Sequence, residues 1–296
     1  LTPLVFALPG NDAAAQRIAQ AAGFETGQLE VRRFPDGETY VRVLSGVENR
    51  SVILVCTLDR PDEKFLPIVF AAAAARAHGA QRVGLVAPYL AYMRQDREFK
   101  TGEAITSSRF ARTLSTQIDW LVTVDPHLHR THRLDQIYSI PAGAVHTEPL
   151  LADWIKAHVA QPLLIGPDSE SAQWVDAIAQ AAQAPSVVLQ KTRRGDRDVT
   201  ITIPDMHRWQ GHTPVLIDDI VSTGRTMIEA TKALLAQGMA APVCVVIHAV
   251  FAGQALTELR AAGAHQIVST NTIPHETNAI DVTPLLVPAI GALERP

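Results

Sequence analysis

Residues 215–226 read Val-Leu-Ile-Asp-Asp-Ile-Val-Ser-Thr-Gly-Arg-Thr. An apolar strand ends in two carboxylates, Asp218 and Asp219. A short loop of hydroxyl residues and glycine follows, and a helix begins. Backbone N–H groups at a helix start, joined by the hydroxyls of Ser222, Thr223 and Thr226, can cradle a phosphate. The adjacent carboxylates can accept hydrogen bonds from vicinal sugar hydroxyls. One element can thus hold both ends of a sugar phosphate. A plain helix N-cap after a strand explains a lone Asp-Asp equally well, but not the whole twelve-residue string.

Five further strings set polar side chains in turns or at strand ends. Arg32-Arg33-Phe34-Pro35-Asp36-Gly37-Glu38 reads on its own as an exposed polar turn, since Asp-Gly is common there. Ala87–Arg97 follows an apolar run; Arg94 offers a planar fork of donors and Gln95 both donor and acceptor, with a solvated loop as the plain alternative. Thr123-Val124-Asp125-Pro126-His127 stands at another strand end, and His129 and His132 behind it read as exposed polar residues. Leu164–Ser171 contains Asp168, Ser169, Glu170 and Ser171, which suit a helix start capped by Asp or Ser with Glu in the first turn. Gln190–Arg197 reads as a basic hairpin turn carrying Lys191 and Arg193.

These strings need a scaffold, and the remaining pattern supplies one. Short β-branched runs at 51–55, 83–87, 121–124, 162–165, 186–189, 214–217, 243–248 and 266–268 alternate with amphipathic stretches. The helices are expected at 62–78, 107–116, 148–159, 171–182, 226–237 and 253–262, with Gly79, Gly238 and Gly263 as C-terminal stops. Such alternation predicts α/β architecture with parallel sheets covered by helices. Leu29–Arg33 with Thr39–Val43 predicts a hairpin, and 186–190 with 198–203 a second one. A length of 296 residues predicts about two domains. The boundary is expected near Ile140-Pro141-Ala142-Gly143, giving domains 1–141 and 142–280, each with a strand–helix–strand core.

Composition narrows the function classes. A net charge of -4 offers no global basic field for nucleic acid or an anionic membrane, while local Arg/Lys clusters at 94–100 and 191–197 suit small anions. No apolar run reaches the ~18 residues of a membrane span. The opening residues lack the basic stretch and apolar core of a signal peptide. Cys56 and Cys244 lie in apolar runs and read as core residues of a reducing, cytoplasmic setting.

The 215–226 string resembles the phosphoribosyl pyrophosphate loop shared by type I phosphoribosyltransferases and ribose-phosphate pyrophosphokinases. The strings at 32–38 and 87–97 resemble signatures of the pyrophosphokinases and not of simple transferases, and matches run in the family's order from Phe34 to Thr226. The abbreviated Lys-Thr-Arg loop and the length look like those of archaeal-type members. The resemblance implies two phosphoribosyltransferase-type I domains, with about 281–296 able to return to the first. It implies transfer of the β,γ-diphosphoryl group of ATP to ribose 5-phosphate, with Mg²⁺ as cofactor. Phe34, Asp36, Gly37, Glu38, Arg94, Gln95 and His127 are then expected on ATP. Asp168, Arg193, Asp218, Asp219, Ser222, Thr223, Gly224, Arg225 and Thr226 are expected on ribose 5-phosphate. His127 and Asp168 are expected on the metal, and Lys191 and Arg193 at the transition state. In the family the first hairpin reaches a neighbouring subunit's ATP site, which implies a homo-oligomer of at least two chains. Two departures stand out: Ser169-Glu170-Ser171 where small glycine-like residues are common, and Arg225 where glycine is common. The alternatives are a non-catalytic regulatory paralogue and a phosphoribosyltransferase with another acceptor.

Overall fold

The computed structural model describes residues 1–128, 131–168, 171–194, 198–202 and 204–294. The chain divides into two compact units, Leu1–His146 with Thr283–Pro296, and Thr147–Val282.

The first unit runs β1 (Leu4–Ala7), α1 (Asp12–Ala22), β2 (Glu25–Thr26), β3 (Leu29–Arg33), β4 (Thr39–Val43), β5 (Ser51–Val55), α2 (Pro61–Ala77), β6 (Arg82–Ala87), α3 (Thr106–Ser115), β7 (Trp120–Val124) and β8 (Ala142–Val145). Among the described residues it holds a six-stranded sheet in the order β2-β1-β5-β6-β7-β8, every neighbour parallel, with β3 and β4 apart as an antiparallel ribbon. Parallel strands need crossovers and carry helices on their faces, so central strands are apolar throughout rather than alternating. β5 fits: Val52, Ile53, Leu54 and Val55 are all buried. On α2, Ala71, Ala72 and Ala75 are buried, and their small side chains let the helix lie close to the sheet.

The second unit runs α4 (Glu148–His158), β9 (Pro162–Gly166), α5 (Ala172–Ala182), β10 (Ser186–Val188), β11 (Gln190–Arg194), β12 (Asp198–Thr202), β13 (Thr213–Ile220), α6 (Arg225–Ala236), β14 (Val243–His248), α7 (Ala255–Ala261), β15 (Gln266–Thr270) and β16 (Asn278–Ile280). Its parallel sheet has the order β10-β9-β13-β14-β15-β16, and β11 with β12 forms a separate antiparallel ribbon. The strand order, crossover helices and ribbon position repeat those of the first unit.

The helix α8 (Thr283–Glu294) follows β16 but belongs to the first unit, where it packs on α1, β7 and β8. In the second unit α4 occupies the matching place against α5, but it comes before that unit's first strand. The first unit is therefore a circularly permuted version of the second. Trp120 Nε1 donates to Glu294 Oε1 at 2.9 Å, and Arg82 donates to the Glu294 carbonyl at 3.2 Å, which ties the helix end to the sheet.

The sequence pattern and the fold differ in places. Ser186–Val188 is a sheet strand beside β9, not half of a hairpin, because Val187 and Leu189 are apolar and buried. The ribbon partner of 198–202 is Gln190–Arg194; Ile203 lies outside the described residues. The first sheet takes in Ala142–Val145, just beyond the boundary anticipated near 140–143. The elements β1, α1, β2, β8, β16 and α8 add to those expected.

Gly84 shows how tightly the first sheet face is filled. It pairs with Trp120 across β6 and β7, and a Cβ at Gly84 would lie 2.0 Å from the indole. The fully buried Trp120 has no room to move aside. Gly84→Ala should destabilise by about 1–3 kcal/mol, read from urea unfolding, and Trp120→Phe in the same chain should recover part of the loss.

Candidate active site

In an open α/β sheet the C-terminal ends of the strands form the binding edge. In the second unit β13 delivers Asp218 and Asp219 there, both partly exposed. The carboxylates help shape the strand end: Asp219 N donates to Asp218 Oδ1 at 3.0 Å, and Ile220 N donates to Asp219 Oδ1 at 2.8 Å. Val221 is buried, Ser222 and Thr226 are partly exposed, and Thr223 and Arg225 are exposed. Gly224 is the N-cap of α6 with φ +70 and supplies no side-chain cap. The helix start thus opens onto the same edge as the two carboxylates. A Cβ at Gly224 would meet only ordinary contacts, the nearest at 3.5 Å from Ala255, so backbone conformation rather than space favours glycine.

At the end of β9 the chain turns at Gly166-Pro167-Asp168. Ser171 Oγ donates to the Asp168 carbonyl at 2.6 Å, and a Cβ at Gly166 would lie 2.5 Å from that hydroxyl. Ser171 is buried, so it fixes the turn, while the Asp168 side chain is partly exposed. Ser169 and Glu170 lie outside the described residues. Lys191 and Arg193 stand two residues apart on β11, opposite Ile201 and Val199 of β12. Arg197 lies outside the described residues.

In the first unit the β3–β4 ribbon carries Phe34, Asp36, Gly37 and Glu38 at its tip. Gly37 turns with φ +95, Phe34 N donates to the Glu38 carbonyl at 2.8 Å, and Glu38 N donates to Asp36 Oδ1 at 3.2 Å. Asp36 therefore closes its own turn. Phe34 is 39% exposed. The Arg32 guanidinium lies 4.7 Å from its ring centre and 4.1 Å from that of Tyr40, with Glu30 at 3.3 Å. Arg32, which opens the motif string but has no role assigned there, and Tyr40, outside the string, build a cation–aromatic shelf beside Phe34.

Beyond β6, Leu90, Ala91 and Met93 are buried and anchor a turn in which Tyr92 has φ +63. Arg94 is left exposed. Gln95 is fastened to the start of α3: its carbonyl accepts from Ser107 N at 3.2 Å and its side chain from Thr106 Oγ1 at 3.3 Å. Tyr92 donates to Asp62 of α2, and this bond, more than burial, pushes the phenol up to about 12. Beyond β7, Asp125 has φ +33 and pairs with His146 Nδ1 at 2.9 Å. His127 is partly exposed and His132 exposed. His129 lies outside the described residues.

Residues 4–117 match the family described as the N-terminal domain of ribose phosphate pyrophosphokinase, and residues 133–285 match the phosphoribosyl transferase domain. A ribose-phosphate pyrophosphokinase of Methanopyrus kandleri is 32% identical over 94% of this chain and 95% of its own length. One of Saccharolobus solfataricus is 35% identical over 83% of this chain and 84% of its own. The crystal structure of phosphoribosylpyrophosphate synthetase from Mycobacterium smegmatis superposes with a TM-score of 0.84 over 99% of both chains at 23% identity, a likeness of fold.

Two measurements probe the local geometry. Gly224→Ala should destabilise the chain by about 1–2 kcal/mol through its left-handed backbone alone, read as a lowered urea midpoint. The folded Tyr92 value lies above the unfolded 10.0, so the stability from its bond to Asp62 is complete below pH 10 and fades as pH rises toward 12. Phenolate absorbance should show this tyrosine ionising nearer pH 10 in Asp62→Asn.

Proposed function

This chain belongs to the ribose-phosphate pyrophosphokinase family, and from that membership we propose that it is an active enzyme converting ATP and ribose 5-phosphate to phosphoribosyl pyrophosphate and AMP. The observation that carries the reading is the second unit's strand end, where Asp218 and Asp219 run into a hydroxyl-rich loop at the start of α6. Asp218 and Asp219 accept from the ribose hydroxyls, and the 222–226 loop receives the 5-phosphate on backbone N–H groups and hydroxyls. Arg225 adds a cation at that phosphate.

In the first unit, Phe34 stacks on adenine, Asp36, Gly37 and Glu38 take up its polar edge or ribose, and Arg94 and Gln95 meet the phosphates. The anomeric hydroxyl oxygen attacks the β-phosphorus. The new O–P bond forms as the bond to the α-phosphate bridging oxygen breaks, AMP departs with that oxygen, and the hydroxyl proton passes to solvent. Such a transfer needs positioning and charge neutralisation more than covalent help. Lys191 and Arg193 supply the cations for the charge that develops.

A carboxylate and an imidazole, Asp168 and His127, are each partly exposed at a strand's C-terminal end. Each is a donor that suits a magnesium ion held mostly by phosphates and water. The ion when bound neutralises phosphate charge. Both cysteines are buried and unpaired, as suits a reducing cytoplasm. No helix among the described residues is long and apolar enough to cross a membrane. An ATP site completed by a neighbour's ribbon makes the working unit at least a homodimer.

The test is AMP release from ATP and Mg²⁺ with and without ribose 5-phosphate. Release should depend on the sugar phosphate and fall by about 10²–10³ in Lys191→Ala. Asp219→Asn should raise KM for ribose 5-phosphate roughly tenfold and leave KM for ATP unchanged. A folded chain that binds ATP but releases no AMP would replace this reading with that of a regulatory paralogue.

A further inference from the structure

The loop read as the sugar-phosphate site is held from outside its own string. Past β13 the chain runs beside the segment that follows β14. Val221 N donates to the His248 carbonyl at 3.3 Å, Phe251 N to the Val221 carbonyl at 2.8 Å, and Ala252 N to the Ser222 carbonyl at 2.9 Å. Phe251 makes this reach with φ +37, a left-handed conformation that is costly for a bulky residue and must be held by its surroundings.

Two anchors hold it. At one end His248, buried, shares a hydrogen bond with Thr272 Oγ1 at 2.9 Å, and the hydroxyls of Thr270 and Thr272 donate to the Ile247 carbonyl at 2.6 and 3.0 Å. At the other end the Phe251 ring stacks on His275, with centroids 4.9 Å apart and planes at 27°. His275 is fixed in turn by the β15–β16 connection: its Nδ1 meets Thr277 Oγ1 at 2.8 Å, its backbone N donates to Asn278 Oδ1 at 2.9 Å, and Thr277 Oγ1 meets Ser269 Oγ at 2.7 Å.

We infer that the Phe251–His275 ring stack is a clasp that positions the 222–226 loop and so sets its affinity for a sugar phosphate. The inference rests on reading that loop as the ribose 5-phosphate site. Both are positioning residues: the ring contact fixes the 249–252 backbone, and that backbone fixes the Val221 and Ser222 carbonyls. A residue that merely fills space would tolerate Phe251→Leu, which keeps bulk but not the ring, as well as Phe251→Tyr, which keeps both.

The experiment combines amide hydrogen exchange at Val221, Phe251 and Ala252 with the kinetics of AMP release. Phe251→Leu and His275→Ala should speed exchange at those three amides about three- to tenfold, the range an aromatic pair corresponds to. The same variants should raise KM for ribose 5-phosphate by a similar factor, with kcat and KM for ATP unchanged. Phe251→Tyr, which keeps two stacked rings and the His275 bonds, should match wild type. Wild-type exchange at the three amides in Phe251→Leu and His275→Ala overturns the clasp, and so does an equal rise across the whole second unit. A wild type without ribose-5-phosphate-dependent AMP release removes the functional assignment of the loop, while the exchange comparison still decides the clasp.

Discussion

Parallel pairing is the constraint on which the rest of the molecule depends. Neighbouring strands that run the same way cannot be joined by a tight turn, so each pair needs a crossover, and crossovers lay helices on the sheet faces. In consequence all the C-terminal strand ends of a sheet open on one edge. In the second unit that edge receives Asp168, the 218–226 string, and the segments after His248 and Thr270. In the first it receives the turns after Ala87 and Val124. The sheet interiors are mostly apolar, so the polar groups that strands and their following turns present collect at the two edges.

The two units share a plan but not a surface. Each interrupts its sheet at the same point to throw out an antiparallel ribbon, and each places a strand-to-helix turn after it. In the second unit that turn is small, hydroxylated and led by a left-handed glycine. In the first it is Thr57-Leu58-Asp59-Arg60, drawn in on itself by Lys64, which donates to Asp59 and, at 2.8 Å, to the Thr57 carbonyl. Asn11 adds a bond to Thr57 N at 2.8 Å. One copy of the turn carries hydroxyls and a left-handed glycine, and the other is closed by its own side chains.

What could be read from residues alone followed the range of the interaction. Ser51–Val55 and Val243–His248 announced themselves because a buried parallel strand is a contiguous apolar run. The strand end and helix start at 218–226 were legible because the string that marks them is contiguous too. The four residues of β1 and the three of β16 are too short to carry a period. The α8 helix contains Pro288, a residue that argues against a helix interior. Ser186–Val188 reads both as a sheet strand and as half of a ribbon because a β-branched run does not declare which partner it will take; the sheet takes it, and the ribbon begins at Gln190. The stacking of Phe251 on His275 could not be read at all, since twenty-odd residues separate them and the sheet brings them together. Asp36 has a local duty in its own turn, so its presence in the Arg32–Glu38 string does not separate folding from binding.

The permuted place of α8 also sets an order of assembly on the ribosome. Leu286 and Ile290 of that helix are buried in the first unit, and its end receives bonds from Arg82 and Trp120. The second unit can close once β16 has emerged, but the first must wait for residues made after it. At translation speeds of roughly 5–20 residues per second, the nascent first unit spends on the order of ten seconds with its α1 face uncovered. The half that is synthesised first is the half that is finished last.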